Sequence, residues 1–149
     1  MSDALGEWDD DDDAPRAAPE AGDAETAEVA GPQLYYGNAS EFVDQFLRHA
    51  YRRKTSGRGA PWWSGDWWNY DEAVMRIEAL WRAWEFLRLD PATGMSVWWR
   101  DHADHHMPVL MSDEGPFHGS ADVVERGQPL SHNEPPEGLF VDERIAPAE

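Results

Sequence analysis

Phe42, Val43, Phe46, Leu47, Ala50 and Tyr51 recur at the spacing of one helical face, and Asn38 followed three residues later by Glu41 reads as a capping box. The pattern predicts a first helix starting at Asn38 or Ser40 and running to about Lys54. Arg48, Arg52, Arg53 and Lys54 gather in its last turns, where cations suit the negative end of the dipole. Thr55 to Pro61, with two glycines and a proline, reads as a loop. A second helix is expected from about Tyr70 to Arg88, entered through Asn69 and Glu72 as another capping box. Its stripe of Val74, Ile77, Trp81 and Trp84 steps by 3, 4 and 3 residues, widened by Leu80 and Leu87. Glu72 with Arg76, Glu78 with Arg82 and Glu85 with Arg88 sit at helical spacing and mark a wet face. Asp90-Pro91-Ala92-Thr93-Gly94 is a turn. A third helix is expected from Ser96 as cap to near His106, because Pro108 biases Met107 away from helix. Val109, Leu110 and Met111 then read as extended, and Leu34-Tyr35-Tyr36 can pair with them as a minimal sheet.

Composition sorts the chain into three parts. Residues 1–33 hold eleven acids and one base, including the run Asp9 to Asp13, and are expected to be disordered because so little apolar surface cannot offset the entropy of ordering. Residues 119–149 carry seven acids, two bases and four prolines, and are read as a second, mostly disordered acidic tail, with docking near Leu139-Phe140-Val141 as an option. Residues 34–118 are nearly balanced, with 12 acids and 9 bases, and form the domain. Leu, Ile, Val and Phe number only 24 in 149 residues, which alone would suggest disorder. Eight of the nine tryptophans lie between Trp62 and Trp99, however, and indoles assemble a core from few residues. The expected fold is mainly α: a small Trp-rich domain of about three helices, with at most one short two-stranded pairing, between acidic tails.

The formal charge is −18 and there is no cysteine, so disulfides, thiol nucleophiles and thiolate zinc sites are excluded. No apolar run is long enough to span a bilayer, and the first residues lack a basic-then-apolar leader. A soluble cytoplasmic protein that engages no membrane is expected. Ser112 and Ser120 lack a nucleophile-elbow context, and no phosphate-binding glycine loop or dinucleotide fingerprint occurs.

Three constellations carry candidate chemistry. His102 and His106 stand four residues apart, the spacing at which two imidazoles on successive turns grip one metal, and Asp101, Asp104 or the more distant His118 can complete a zinc or other transition-metal site. Ala103 occupies the place where zinc peptidases carry their glutamate base, and the alternative is a set of hydrogen-bonded rings beside aromatic bulk. Arg48, Arg52, Arg53, Lys54 and Arg58 precede Trp62, Trp63, Trp67 and Trp68, an arrangement of cations and stacking platforms suited to single-stranded nucleic acid. The net charge of −18 opposes that reading, and an acidic run can instead mimic a polyanion or simply solubilise. Adjacent Trp doublets diverge in any regular backbone, so both members cannot be central to a core; some indoles are expected to be partly exposed, and exposed Trp beside Arg is the composition of a protein-binding hot spot. The candidate contact residues are Trp62, Trp63, Trp67, Trp68, Trp98, Trp99 and Arg100.

The blocks Ala79-Leu80-Trp81-Arg82-Ala83-Trp84-Glu85, Asp90-Pro91-Ala92-Thr93-Gly94-Met95-Ser96, Val97-Trp98-Trp99-Arg100-Asp101-His102, His106-Met107 and Gly115-Pro116-Phe117 resemble an uncharacterised actinobacterial and actinophage family that carries only a domain-of-unknown-function label. The likeness covers about residues 34–118. The family's pattern has a proline at the position of His105, and a cysteine after Gly-Pro-Phe where this chain has His118-Gly119-Ser120. If the family shares a site, the resemblance implies Asp101, His102, His106 and the Trp98-Trp99-Arg100 triplet as its members. It also implies an accessory protein of phages, plasmids or conjugative elements, and implies no reaction. The leading expectation is a non-enzymatic module that binds a host or element protein; a metal-dependent protein and a nucleic-acid binder or mimic are the alternatives.

Overall fold

The computed structural model describes residues 33–145, and the expectation for the first 32 residues lies outside them. Three helical runs form the frame. The first, α1 (residues 39–50), joins Ala39–Phe42, a π-helical turn Val43–Leu47 and Arg48–Ala50. The second, α2, is Asp71–Leu87. The third, α3 (residues 94–110), joins Gly94–Val97, a π-helical turn Trp98–Ala103 and Asp104–Leu110. α2 lies against both of the others, and Phe42 and Phe46 of α1 meet Trp98 of α3 at ring separations of 6.4 and 5.6 Å. Among the described residues no helix is long and apolar enough to cross a membrane.

Asn38 caps α1 as its spacing predicts, its Oδ1 accepting from Glu41 N–H at 2.9 Å. The helix ends at Ala50 rather than Lys54, because Tyr51 leaves helical geometry and turns inward onto Trp99, 6.2 Å between ring centres. The second capping box does not form. Asn69 belongs to a short 3-10 turn, Trp67–Asn69, and Tyr70 precedes α2 with no side-chain cap. The apolar stripe is where periodicity places it, with Ile77, Leu80, Trp81 and Trp84 buried. All three charge pairs form, at 3.0 Å for Glu72–Arg76, 3.8 Å for Glu78–Arg82 and 3.0 Å for Glu85–Arg88.

Glu85 is a correction to the wet face. It is only 7% exposed and accepts from Tyr35 and Tyr36 N–H, Trp81 Nε1–H and Arg88 Nε–H, so a carboxylate binds the segment before α1 to the middle of the core. Because the Tyr35 and Tyr36 amides are used this way, they are not available for a sheet. Val109 and Leu110 are helical, and there is no strand among the described residues. The two-stranded pairing is therefore replaced by a side-chain clamp.

α3 also departs from expectation at both ends. It starts at Gly94, not at a Ser96 cap, and the backbone there lies so close to the Leu87 carbonyl that any β-carbon would overlap it, which favours glycine. It continues through Pro108 to Leu110. Pro108 is exposed and withholds one donor, while burial of Met107 and Leu110 on the inner face outweighs the preference of a pre-proline residue for extended geometry. The ladder resumes beyond it, with Met111 N–H donating to Met107 O at 3.0 Å.

The largest correction concerns residues 119–145, which contain no helix or strand yet pack against the helices. Val124 and Leu130 are buried, Phe140 is partly buried, and Leu130, Asn133 and Glu143 N–H donate to the carbonyls of Arg48, Gly65 and Gly37. Arg82 pairs with Glu143 at 2.8 Å and Arg144 with Glu41 at 2.8 Å. This strap escapes periodicity because its few apolar residues work singly, each reaching a separate site on the body.

Candidate functional site

The tryptophans divide into two roles. Trp63, Trp67 and Trp98 are fully buried, so these three expected contact residues are core residues instead. Trp62, Trp68 and Trp99, their chain neighbours, are half-buried, and Arg100 is exposed. The doublet argument thus separates each pair into one inner and one outer ring. In α3 the π-helical turn spreads each turn over more residues, which lets Trp98 donate to the Leu80 carbonyl in the core while Trp99 lies on Tyr51.

Buried indoles as a rule place their N–H on an acceptor, Trp84 being an exception here, and the loop carrying Trp62 to Trp68 has few side-chain acceptors of its own. The strap supplies them. Trp63 Nε1–H donates to Ser131 O at 2.7 Å, Trp67 Nε1–H to His132 Nδ1 at 3.2 Å and Trp68 Nε1–H to Asn133 O at 3.0 Å, three rings on three consecutive residues. Asp122 Oδ2 ties the same parts together by accepting from Gly65 N–H and Ser131 Oγ–H, both at 2.6 Å. A β-carbon at Gly65 would approach Asn133, Asp122 and Ser131 to 3.1–3.2 Å, so the close approach favours glycine.

His132 accepts through Nδ1 only while unprotonated, and its Nε2 is buried without a partner. Burial pushes its pKa below the ordinary histidine value, as does Arg48, against the opposing pull of Asp44 and Glu134. Such a group contributes stability above the unfolded histidine pKa of about 6.5 that is lost as pH falls toward the folded value. The urea midpoint of the wild type is therefore expected to drop more between neutral pH and pH ~5.5 than that of His132→Asn, which keeps an acceptor but cannot titrate. Equal drops in the two proteins would refute the assignment.

The proposed metal ligands do not converge. Asp101 is exposed and forked onto Arg100, at 2.8 and 3.0 Å, and those hydrogen bonds hold its carboxyl below the usual carboxylate range. His106 Nδ1 faces Arg76 Nη1 at 3.0 Å, and burial, with Arg76 beside it, lowers its pKa. Among the described residues no three His, Asp or Glu side chains come together as a metal centre. His118, the more distant candidate, lies instead on the Trp62 ring at 4.9 Å.

Two of the outer rings, Trp62 and Trp99, stand behind the walls of a cleft of about 380 Å³ lined by Tyr51, Arg53, Gly59, Ala60, Pro61, Pro108, Met111, Ser112 and Asp113. Trp99 backs the Tyr51 wall. Trp62 fixes the opposite rim, with its N–H donating to Met111 O at 2.9 Å and its Nε1–H to Asp113 Oδ1 at 2.7 Å. Arg53 lies over the Tyr51 ring, 4.0 Å from its centre. Burial raises the Tyr51 pKa against the lowering effect of Arg53, so the hydroxyl stays protonated at neutral pH. The sequence marks Trp62, Trp99 and Arg53 through composition, whereas Tyr51, Pro61, Pro108 and Met111 come from distant segments and carry no local signal.

The model of a domain of unknown function, DUF4913, matches residues 36–137. The chain belongs to the DUF4913 family. No curated protein and no solved structure matches it. The DUF4913 match runs beyond residue 118 and takes in the strap as far as Glu137, in keeping with a domain that needs Leu130 to Asn133.

Proposed function

We propose that this DUF4913 protein is a non-enzymatic interaction module that engages a protein partner through the cleft beside Tyr51. The observation that carries the reading is the cleft itself, a concavity with apolar walls of Tyr51, Pro61, Pro108 and Met111, a cation at Arg53 and a carboxylate at Asp113. Its walls stand on rings already fixed by the core, so a ligand meets a preformed surface and little ordering entropy is lost on binding. The setting, an accessory protein of a phage or mobile element in an actinobacterial cytoplasm, is supported by the resemblance of the block from Trp81 to Met107.

A photo-cross-linking residue placed at Ala60 is expected to capture a discrete host or element protein, while the same residue at Met75, exposed on α2, captures none. Loss of the Ala60 product in Pro61→Trp, which fills the cleft, completes the test. Indistinguishable products from the two positions would defeat the proposal.

A further inference from the structure

The chemistry of the cleft lining selects its occupant. Tyr51 lies nearly parallel to Trp99, 17° between planes, and carries the Arg53 guanidinium 4.0 Å over its own ring. Arg53 Nη1–H donates to Arg52 O at 2.8 Å, which holds the planar cation in place, and the side chain is otherwise exposed. A guanidinium held in this way offers a flat face on which a further ring can stack. The ring carbons of Pro61 and Pro108 and the Met111 thioether make the apolar walls, and sulfur favours an aromatic edge. At the rim, Asp113 Oδ1 accepts from Trp62 Nε1–H, while Oδ2 has no hydrogen-bond partner among the described residues and the side chain is 81% exposed. One cation against one carboxylate leaves the lining neutral, with Glu114 next in the chain and Asp104 close enough to Tyr51 to raise its pKa. Anions are therefore disfavoured, and the free acceptor calls for a donor. At about 380 Å³ the cleft falls at the small end of ligand pockets, about 300–1,000 Å³, with room for one bulky side chain.

We infer that the cleft takes a single tyrosine or tryptophan side chain of the protein partner, its ring laid on Arg53 between Pro61, Pro108 and Met111 and its O–H or N–H donated to Asp113 Oδ2. The inference rests on the cleft being the interaction site and adds the residue that fills it. Both lining charges then have a use. The cation takes a ring face, and the carboxylate takes the polar tip that sets these side chains apart from phenylalanine and leucine. Tyrosine and tryptophan are also the residues that dominate binding energy where they fill central pockets of protein interfaces. A nucleobase shares the flat face but brings phosphates to a rim that holds Asp113, with Glu114 next to it, on a chain of net charge −18.

Amide NMR of the full chain tests this by titration with the N-acetyl amides of tryptophan, tyrosine, phenylalanine and leucine, and with a short oligo-dT. The tyrosine and tryptophan amides are expected to shift the Arg53, Ala60 and Ser112 resonances and to bind about fivefold more tightly than the phenylalanine amide, with little change between low and high salt. The leucine amide is expected to be weaker still. Asp113→Ala is expected to erase the preference for tyrosine over phenylalanine, and Asp113→Asn, which keeps an acceptor, to retain it. Arg53→Leu is expected to weaken the three aromatic probes by about fivefold and to leave the leucine amide unaffected. Equal binding of the four amides, or a tyrosine preference unmoved in Asp113→Ala, overturns the inference, and tighter binding of oligo-dT overturns it in favour of nucleic acid. If no amide binds while the Ala60 cross-link persists, the occupant's chemistry is wrong and the cleft stands; if both fail, the interaction reading falls with it.

Discussion

Trp63→Ala is expected to destabilise the domain by about 3–5 kcal/mol, the range for deleting a fully buried aromatic ring from a core. The ring is fully buried, packs edge-on to Phe117 at 5.1 Å and donates to the strap at Ser131, so its removal leaves a cavity and cuts one of the three indole links to the strap. The neighbouring Trp62→Ala is expected to cost about 1 kcal/mol, because its ring is partly exposed and its bond to Asp113 is at the surface. Chemical denaturation of the two variants measures the contrast directly. Were both rings ordinary surface contact residues, the two midpoints would lie close together and only partner binding would change.

Glu85→Ala is expected to cost about 3–5 kcal/mol, comparable to the loss at Trp63 although it removes little apolar area. The carboxylate accepts two backbone N–H groups, an indole N–H and a guanidinium, and truncation leaves these donors facing a space that alanine cannot fill. Arg88, whose side chain is largely covered, loses its partner at 3.0 Å. Glu85→Gln keeps a carbonyl oxygen for part of this set and is expected to recover a portion of the stability. Thermal unfolding of the three proteins orders them wild type, Gln, Ala; an alanine variant as stable as the wild type would show that the clamp is dispensable.

The helices were legible because amphipathic spacing is a local property. Ile77, Leu80, Trp81 and Trp84 declare the inner face of α2 by their intervals, and Asn38 declares the start of α1 by its distance from Glu41. Ends were less legible. Tyr51 leaves its helix to reach Trp99, and Pro108 stays within one because Met107 and Leu110 are buried; both outcomes depend on contacts across the fold.

Glu85 misled for a related reason. Its i,i+3 partner Arg88 is the same in a solvated pair and in a buried clamp, and only the arrival of Tyr35 and Tyr36 distinguishes them. The strap was hidden because acids and prolines dominate its composition, while its hold on the body comes from Leu130, Val124 and the acceptors of Ser131, His132 and Asn133. A signal was nevertheless present: buried indoles as a rule need acceptors, the Trp62 to Trp68 loop supplies few, and a polar Ser-His-Asn run beside a lone leucine is a place to find them. The cleft was half legible, since Trp62, Trp99 and the basic stretch stood out by composition but the walls that join them come from three separate segments.

The strap's membership of the folded domain is tested most directly by native-state amide exchange at Leu130 and Asn133, whose N–H groups donate to Arg48 O and Gly65 O at 3.0 Å. Protection at both sites within a factor of about ten of that at Ile77 in α2 is the expected result, because closing the strap and burying the indoles belong to one cooperative unit. Exchange at Leu130 and Asn133 as fast as in an unstructured peptide, with Ile77 still protected, would contradict it.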